Sequence, residues 1–166
     1  MQQGKRKIHL VRHAESVWND EHRVQGTCPG IPLSERGRLQ ARLLGNRLRS
    51  MRIRSVYCSD AERAVETARI ALGDGGDMTI VHDLRELSLG EWEGRLISDL
   101  RDNDPELLDR WYRCPTTVQV DGAENMHAFR ERILAALDSI IRNPGGGDAI
   151  VITHGGVICA YLTHLL

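Results

Sequence analysis

Three short apolar runs, each followed by a longer stretch with helical periodicity, constrain the fold of this chain of 166 residues more than any other feature. The runs are Ile8–Val11, Ser55–Cys58 and Ala149–Thr153. Such an alternation is typical of parallel strands joined by crossover helices. The sequence therefore predicts an α/β fold with a mostly parallel sheet, and it predicts loops at the breaks Gly73–Gly76 and Pro144–Gly147.

Apolar residues at helical spacing predict which helix faces pack on this sheet. One predicted face consists of Leu39, Leu43, Leu44, Leu48 and Met51. A more regular one consists of Met126, Phe129, Ile133, Leu134, Leu137, Ile140 and Ile141. A third, alanine-rich pattern follows Ser59, and the spacing of Ser59 and Glu62 is that of a capping box, so this helix is predicted to start at Ser59. Between Leu84 and Cys114 the pattern weakens, and we expect loops and short helices there.

The length and the 41% share of hydrophobic residues suit one domain covering residues 1–166. The 22 basic and 23 acidic side chains nearly cancel, which argues against nucleic acid or an acidic membrane surface as a partner. No window is long and apolar enough to cross a bilayer. The apolar run after the basic start ends before Arg12 and is too short for a signal sequence. We therefore expect a cytoplasmic protein; its oligomeric state cannot be read from the sequence.

The cysteines and most of the histidines show no pattern of ligand spacing. Cys28, Cys58, Cys114 and Cys159 are scattered without a Cys-x-x-Cys pair, which fits neither a disulfide framework nor a zinc site. Reduced thiols are the expected state. The same lack of spacing holds for His9, His22, His82, His127 and His164. We therefore predict no metal and no cofactor.

Charged and imidazole side chains follow the predicted strands where each strand ends. Arg12 and His13 follow the first run, Arg63 falls in the first turn after the second, and His154 ends the third, before Gly155. Loops and helix N-termini gather at the carboxyl ends of parallel strands, so these residues are expected to converge on one crevice. Guanidiniums and free helix amides bind phosphate oxygens, and a neutral imidazole is nucleophilic. The sequence therefore predicts a phosphate site in which one histidine can attack.

Five ordered segments resemble the motifs of the histidine phosphatase superfamily, which includes phosphoglycerate mutases. They are Leu10–Ser16 with Asn19, Pro32–Gly37, Tyr57–Ala64 with Thr67 and Ala68, Leu84–Glu86 leading to Gly90–Gly94, and Val151–Gly155. The matches span nearly the whole chain. The resemblance implies a three-layer α/β/α sandwich with a mostly helical or loop cap insertion at about residues 88–124.

Carried over to the matching positions, the resemblance implies a role for each site residue. His13 would be the nucleophile that forms a phosphohistidine, and Glu86 would be the proton donor. Arg12, Arg63 and His154 would hold the transferring phosphoryl group, and a protonated His154 would add positive charge. Further contacts to the phosphate or substrate are implied for Asn19, Gln25 and Gly155.

Some features depart from the family pattern. Ala14, Gly30 and Ala61 stand where glycine, aspartate and leucine are common, and none of them belongs to the implied catalytic set. Members of the family usually continue through further elements after the position of His154, so we expect the C-terminal part to be short relative to the family.

Taken singly, the same residues have simpler interpretations. A lone histidine after a strand is commonly structural, Arg63 could pair with Glu62 or Glu66 on an exposed helix face, and Glu86 could be a solvated carboxylate. The tryptophans at 92 and 111 are expected to pack rather than to stack on substrate. The arginines between 36 and 54 are expected to line a solvated helix face.

Three functions remain compatible with the sequence. The first is a metal-independent phosphomonoesterase that hydrolyses a small phosphorylated metabolite. The second is a cofactor-dependent phosphoglycerate mutase, which the resemblance makes less favoured because only 59 residues separate Gly94 from His154. The third is a non-catalytic module that binds phosphoesters without turnover. No member of the implied catalytic set is missing, which favours an enzyme.

Overall fold

In the computed structural model, which describes residues 6–73, 76–143 and 147–166, four strands form one parallel sheet. The strands are β1 (Ile8–Arg12), β2 (Ile53–Cys58), β3 (Thr79–Ile80) and β4 (Asp148–Thr153). Their order is β1-β4-β2-β3, and all neighbours are parallel. The three predicted strands are confirmed, each one or two residues longer than its apolar run. The two-residue edge strand β3 lies within the stretch 78–81 and is additional to the three strands that the apolar runs predict.

Helices cover both faces of the sheet. They are α1 (Val17–Asp20), α2 (Glu35–Leu48), α3 (Glu62–Leu72), α4 (Ile97–Asn103), α5 (Pro105–Arg113), α6 (Met126–Arg142) and α7 (Gly155–Leu165). On one face, Val56 and Ile152 of the sheet pack with Ala64 and Ala68 of α3. On the other face, residues of α6 and α7 pack with Tyr57 and with the alternate β4 residues. The α/β/α sandwich with a parallel sheet is therefore confirmed.

Helix α6 buries the face that its periodicity predicts. Phe129, Ile133, Leu137 and Ile140 are buried against the sheet, whereas Ile141, at the end of the predicted face, is largely exposed. The side chain of Asn125 caps the helix by accepting hydrogen bonds from the backbone N–H groups of the first turn.

The predicted leucine face of α2 is confirmed only in part, since Leu48 packs against the core beside α3 but the earlier leucines do not. Leu39 and Leu43 are 51% and 58% exposed, and the helix instead packs through Gly37, Ala41 and Gly45. A Cβ at position 45 would overlap the backbone of Ala71 in α3, so the glycine permits a backbone approach that leucine could not make. The helix therefore packs closely on α3 through its small residues.

The predicted start of α3 is also wrong. The helix begins at Glu62 after Ala61, which makes no side-chain capping hydrogen bond. Ser59 lies outside the helix, and its hydroxyl accepts a hydrogen bond from Ala61 N at 3.3 Å. It also contacts His154, as described below, so the serine is engaged at the candidate site and not in a capping box.

The segment at about 88–124 has a core of its own. It contains the 3₁₀ turn Gly90–Trp92, the helices α4 and α5, and the turn Pro115–Thr117, which matches the expected loops and short helices. The buried residues of this cap core are Trp92, Leu100, Leu108, Val118 and Val120.

Two predicted loops lie partly outside the described residues, namely positions 74–75 of the first and 144–146 of the second. Among the helices that the structure describes, none combines the length and the apolar character that a membrane span requires.

Candidate active site

A cleft of about 660 Å³ opens between the carboxyl ends of the strands and the cap core. Arg12 and His13 reach it from the end of β1, Arg63 from the first turn of α3, and Glu86 from the loop after β3. The structure thus brings to one cleft three of the four residues that follow the predicted strands, together with Glu86, which the resemblance implied. Trp92 and Trp111, predicted to be packing residues, pack edge to face at 5.6 Å and also line the cleft.

The imidazole of His13 is held in one orientation. Its backbone N–H donates to Thr153 O at 2.8 Å, and its Nδ1 lies 2.7 Å from Ala14 O. A carbonyl can only accept, so Nδ1 carries the proton and Nε2 keeps its lone pair. Burial, with smaller contributions from the positive charges of Arg63 and Arg12, lowers the pKa of His13 to about 3, although the hydrogen bond to Ala14 opposes this shift. The ring is therefore neutral at physiological pH.

The two arginines differ in their surroundings. Arg63 is 2% exposed, which excludes the surface pairing with Glu62 or Glu66, and Glu66 instead bonds Arg38 at 2.8 Å. Arg63 Nη2 donates to Gly26 O at 2.8 Å, whereas its Nε is buried without a hydrogen-bond partner in the described residues. Arg12 is exposed, and its side chain makes no hydrogen bond or ion pair with them. A buried cation with an unmatched donor is costly, and an anion in the cleft would satisfy it.

His154 lies behind the cleft rather than on its surface. It is fully buried, its ring lies edge to face with that of His13 at 5.1 Å, and its Nδ1 lies 3.3 Å from Arg63 Nη2. Because the guanidinium can only donate, Nδ1 accepts and Nε2 donates to Ser59 Oγ at 2.8 Å. Burial and then Arg63 lower the pKa of His154 to about 2. This imidazole is therefore neutral and accepts a hydrogen bond from Arg63.

Glu86 is half-buried at the N-terminus of α7. Its carboxylate accepts hydrogen bonds from Leu87 N at 2.9 Å and from Gly156 N at 3.0 Å. A side chain at position 156 would overlap Glu86 Oε1, so the glycine makes room for the carboxylate. Gly156 lines the cleft, whereas Gly155 lies beside Arg12 at the start of the helix.

Arg132 of α6 holds the loop that carries Glu86. Its guanidinium donates to the backbone oxygens of Asp83, Arg85 and Glu86 at 2.7, 2.9 and 3.1 Å. It also forms a bidentate pair with Glu124 at 2.7 and 2.8 Å. Sequence reasoning missed this residue because it sits 46 positions or more after its loop partners, and no local pattern marks it.

Asn19 and Gln25 both line the cleft and are linked through Ser16. The Ser16 hydroxyl donates to Gln25 Oε1 at 2.7 Å, and Asn19 Oδ1 accepts from Ser16 N at 3.1 Å. The two amide side chains are therefore held at the cleft wall, where each can contact a bound substrate.

Glu93 ties the Gly26 loop to the cap and was not singled out from the sequence. Its carboxylate accepts from the backbone N–H groups of Thr27 and Leu89, each at 2.9 Å. Burial opposes ionisation, but these hydrogen bonds keep the pKa of Glu93 below its usual value. Because Gly26 O in turn accepts from Arg63, Glu93 holds the loop that orients this arginine.

The geometry defines a class of site. A neutral imidazole nitrogen faces a cleft bordered by two guanidiniums, a carboxylate and a helix N-terminus. This combination binds a tetrahedral oxyanion and places a nucleophile and a proton carrier beside it. Among the described residues, no three His, Cys, Asp or Glu side chains cluster so as to hold a metal ion.

Comparison with known proteins gives the family. The model of the histidine phosphatase superfamily (branch 1) matches residues 8–166, and the chain belongs to this superfamily. It is 33% identical over 162 residues to the probable phosphoglycerate mutase GpmB of Yersinia pestis, covering 96% of this chain and 74% of that protein.

Two solved structures are similar over nearly the whole chain. A putative α-ribazole-5′-phosphate phosphatase from Escherichia coli has a TM-score of 0.85 and 29% identity, covering 98% of this chain and 80% of that one. A mycobacterial glucosyl-3-phosphoglycerate phosphatase has a TM-score of 0.86 and 27% identity, covering 98% and 82%. The similar proteins thus include two that are named as phosphatases and one that is named as a mutase.

Proposed function

We propose that this protein is a phosphomonoesterase that hydrolyses a small phosphorylated metabolite through a phosphohistidine on His13. The observation that carries the proposal is the hydrogen bond from His13 Nδ1 to Ala14 O, which leaves the Nε2 lone pair available beside Arg63. The phosphatase names of the two similar structures support the same activity.

The first half-reaction forms the phosphoenzyme. The Nε2 lone pair of His13 attacks phosphorus, the P–O bond to the alcohol breaks, and the protonated carboxyl of Glu86 donates a proton to the leaving oxygen. Arg12 and Arg63 bind the non-bridging oxygens, where negative charge is concentrated. His154 orients Arg63 by accepting a hydrogen bond from its guanidinium.

The second half-reaction releases phosphate. The Glu86 carboxylate accepts a proton from water, the water oxygen attacks phosphorus, and the P–N bond breaks to return neutral His13. The two half-reactions balance in atoms and charge. No metal ion is needed in this mechanism, because Arg12 and Arg63 supply the positive charge beside the phosphoryl oxygens. Asn19, Gln25 and the α7 N-terminus at Gly155 are proposed to make further phosphate or substrate contacts.

A phosphoglycerate mutase remains the second candidate because the Yersinia relative bears that name. One contact weighs against it. The carboxylate of phosphoglycerate needs a cation, and Arg23, the other arginine of the cleft, already bonds Gly94 O at 2.5 Å and Glu21 at 3.1 Å. Its guanidinium is therefore largely committed within the protein.

The proposal is tested by measuring phosphate release from a panel of phosphomonoesters with and without a chelator. Release that the chelator leaves unchanged, and that His13→Ala lowers by at least about 10³-fold, is the expected result. Conversion of 3-phosphoglycerate to 2-phosphoglycerate faster than phosphate release would favour the mutase. Phosphate binding without release from any ester would favour a non-catalytic module.

A further inference from the structure

The cleft extends well beyond the space that a phosphoryl group needs. Past His13 it runs between the cap core and α6, and its far wall includes Leu89, Trp92, Leu108, Trp111, Met126 and Phe129. Its volume of about 660 Å³ falls within the range of about 300–1,000 Å³ of pockets that enclose whole organic ligands. The phosphate site therefore occupies one end of a longer cavity.

The charged side chains of the cleft lie at its phosphate end, with the exception of Arg23. Among the described lining residues the remaining polar side chains are amides, hydroxyls and one thiol: Asn19, Gln25, Tyr112, Thr116, Cys159 and Thr163. A charged or strongly hydrated group at the far wall would lose water without gaining a counter-ion. An apolar group there would gain the free energy of leaving water.

The far wall is formed where two hydrophobic cores meet. Trp111 and Leu89 pack against both the cap core and the core between the sheet and α6. Trp92 and Trp111 fix each other edge to face at 5.6 Å. The wall is therefore held in place by packing within the protein, and Tyr112, 64% exposed on α5, borders it.

We propose that the far wall binds the alcohol part of the substrate and that this alcohol is apolar, so that the protein favours phosphate monoesters of hydrophobic alcohols over those of charged acids or sugars. This inference rests on the proposed function, because it takes the phosphoryl group to be bound beside His13. It assigns a specificity role to Tyr112 and to the aromatic pair of the cap.

Binding of n-alkylphosphonates, which cannot be hydrolysed, tests the proposal apart from catalysis. Calorimetry with the series from ethyl- to octylphosphonate should show the dissociation constant falling up to about fourfold for each added methylene, the value for complete burial. Equal affinity along the series would overturn the proposal, and so would a lack of binding by every member.

The exposed Tyr112 offers a variant that keeps the fold. Tyr112→Ser should weaken octylphosphonate about tenfold and leave ethylphosphonate unchanged, because only the longer chain reaches this residue. Tyr112→Phe is the matched control and should bind like the wild type. An equal loss for both ligands in Tyr112→Ser would contradict a role in binding the alcohol.

Hydrolysis distinguishes this inference from the proposed function. Initial rates on the matching alkyl phosphates should give kcat/KM values that rise with chain length in parallel with phosphonate affinity. Phosphate release at the same kcat/KM for every chain length would overturn the inference and leave the phosphatase standing. Chain-length-dependent phosphonate binding with no phosphate release from any ester would overturn the phosphatase and retain the apolar subsite.

Discussion

The imidazoles of His13 and His154 lie edge to face with their ring centroids 5.1 Å apart, and both are neutral in the folded protein. Burial is the largest cause for each, and it lowers their pKa values from 6.5 to about 3 and about 2. Between roughly pH 6.5 and pH 3 the unfolded chain therefore binds protons that the folded chain does not. The free energy of unfolding must decrease as the pH falls through this window.

Urea unfolding at several pH values measures this effect. Near pH 5 each of the two histidines contributes a slope of about 1.4 kcal/mol per pH unit, so His154→Gln should lower the wild-type slope by about that amount. His127→Gln, which removes an exposed imidazole of α6, is the matched control for losing one histidine. If the free energy of unfolding of His154→Gln had the same pH slope as that of the wild type, His154 would not be neutral in the folded protein.

Gly156→Ala should displace the carboxylate of Glu86, because the new Cβ would overlap Glu86 Oε1. We expect kcat/KM to fall about ten- to a hundredfold for alkyl phosphates, whose leaving oxygen needs a proton, and far less for aryl phosphates. Gly155→Ala, one residue away, is the comparison: its Cβ would lie 3.8 Å from Arg12 Nε in ordinary contact, and the variant keeps the backbone N–H proposed to contact phosphate. Equal losses on both substrate classes would remove the acid role of Glu86.

Arg132→Gln should loosen the loop that carries Glu86, because the glutamine cannot reach three carbonyls and Glu124 together. We expect kcat on alkyl phosphates to drop about tenfold while the inhibition constant of inorganic phosphate is unchanged. Arg130→Gln on the exposed side of α6 serves as the control. If phosphate inhibition weakened as much as kcat fell, Arg132 would act on the phosphate site and not on Glu86.

Glu93→Gln should disturb Arg63 through the Gly26 loop. The amide oxygen can keep the two backbone N–H groups that bond Oε1, but the amide NH₂ would then replace Oε2, which accepts from the Cys28 thiol at 3.3 Å. The negative charge that these donors stabilise would also be lost. We expect phosphate to bind about tenfold more weakly by calorimetry. Glu91→Gln, an exposed neighbour in the cap, should bind phosphate like the wild type. Unchanged binding in Glu93→Gln would exclude this positioning role.

The sheet and the strand-end residues could be predicted because local patterns determine them. Short apolar runs mark buried parallel strands, and residues such as Arg12 and His13 follow directly where the chain leaves the sheet. The α2 face could not be predicted in the same way. Its contact with α3 depends on the close backbone approach at Gly45, and hydrophobic periodicity does not report such an approach.

The supports of the site could not be predicted because their partners are distant in sequence. Ser59 bonds His154 and Arg132 bonds the Glu86 loop across separations of 95 and 46–49 residues. Ser59 also matched a capping box, and this local alternative concealed its long-range contact. The catalytic roles of His13, Glu86, Arg12, Arg63 and His154 stay predictions until they are measured.

The most direct test of the central claim is to trap and locate the phosphoenzyme. Rapid mixing with a hydrolysable ester, an alkaline quench and peptide mass spectrometry should place an acid-labile phosphoryl group on His13, and His13→Ala should carry none. A phosphoryl group on another residue, or one that persists in His13→Ala, would contradict the account.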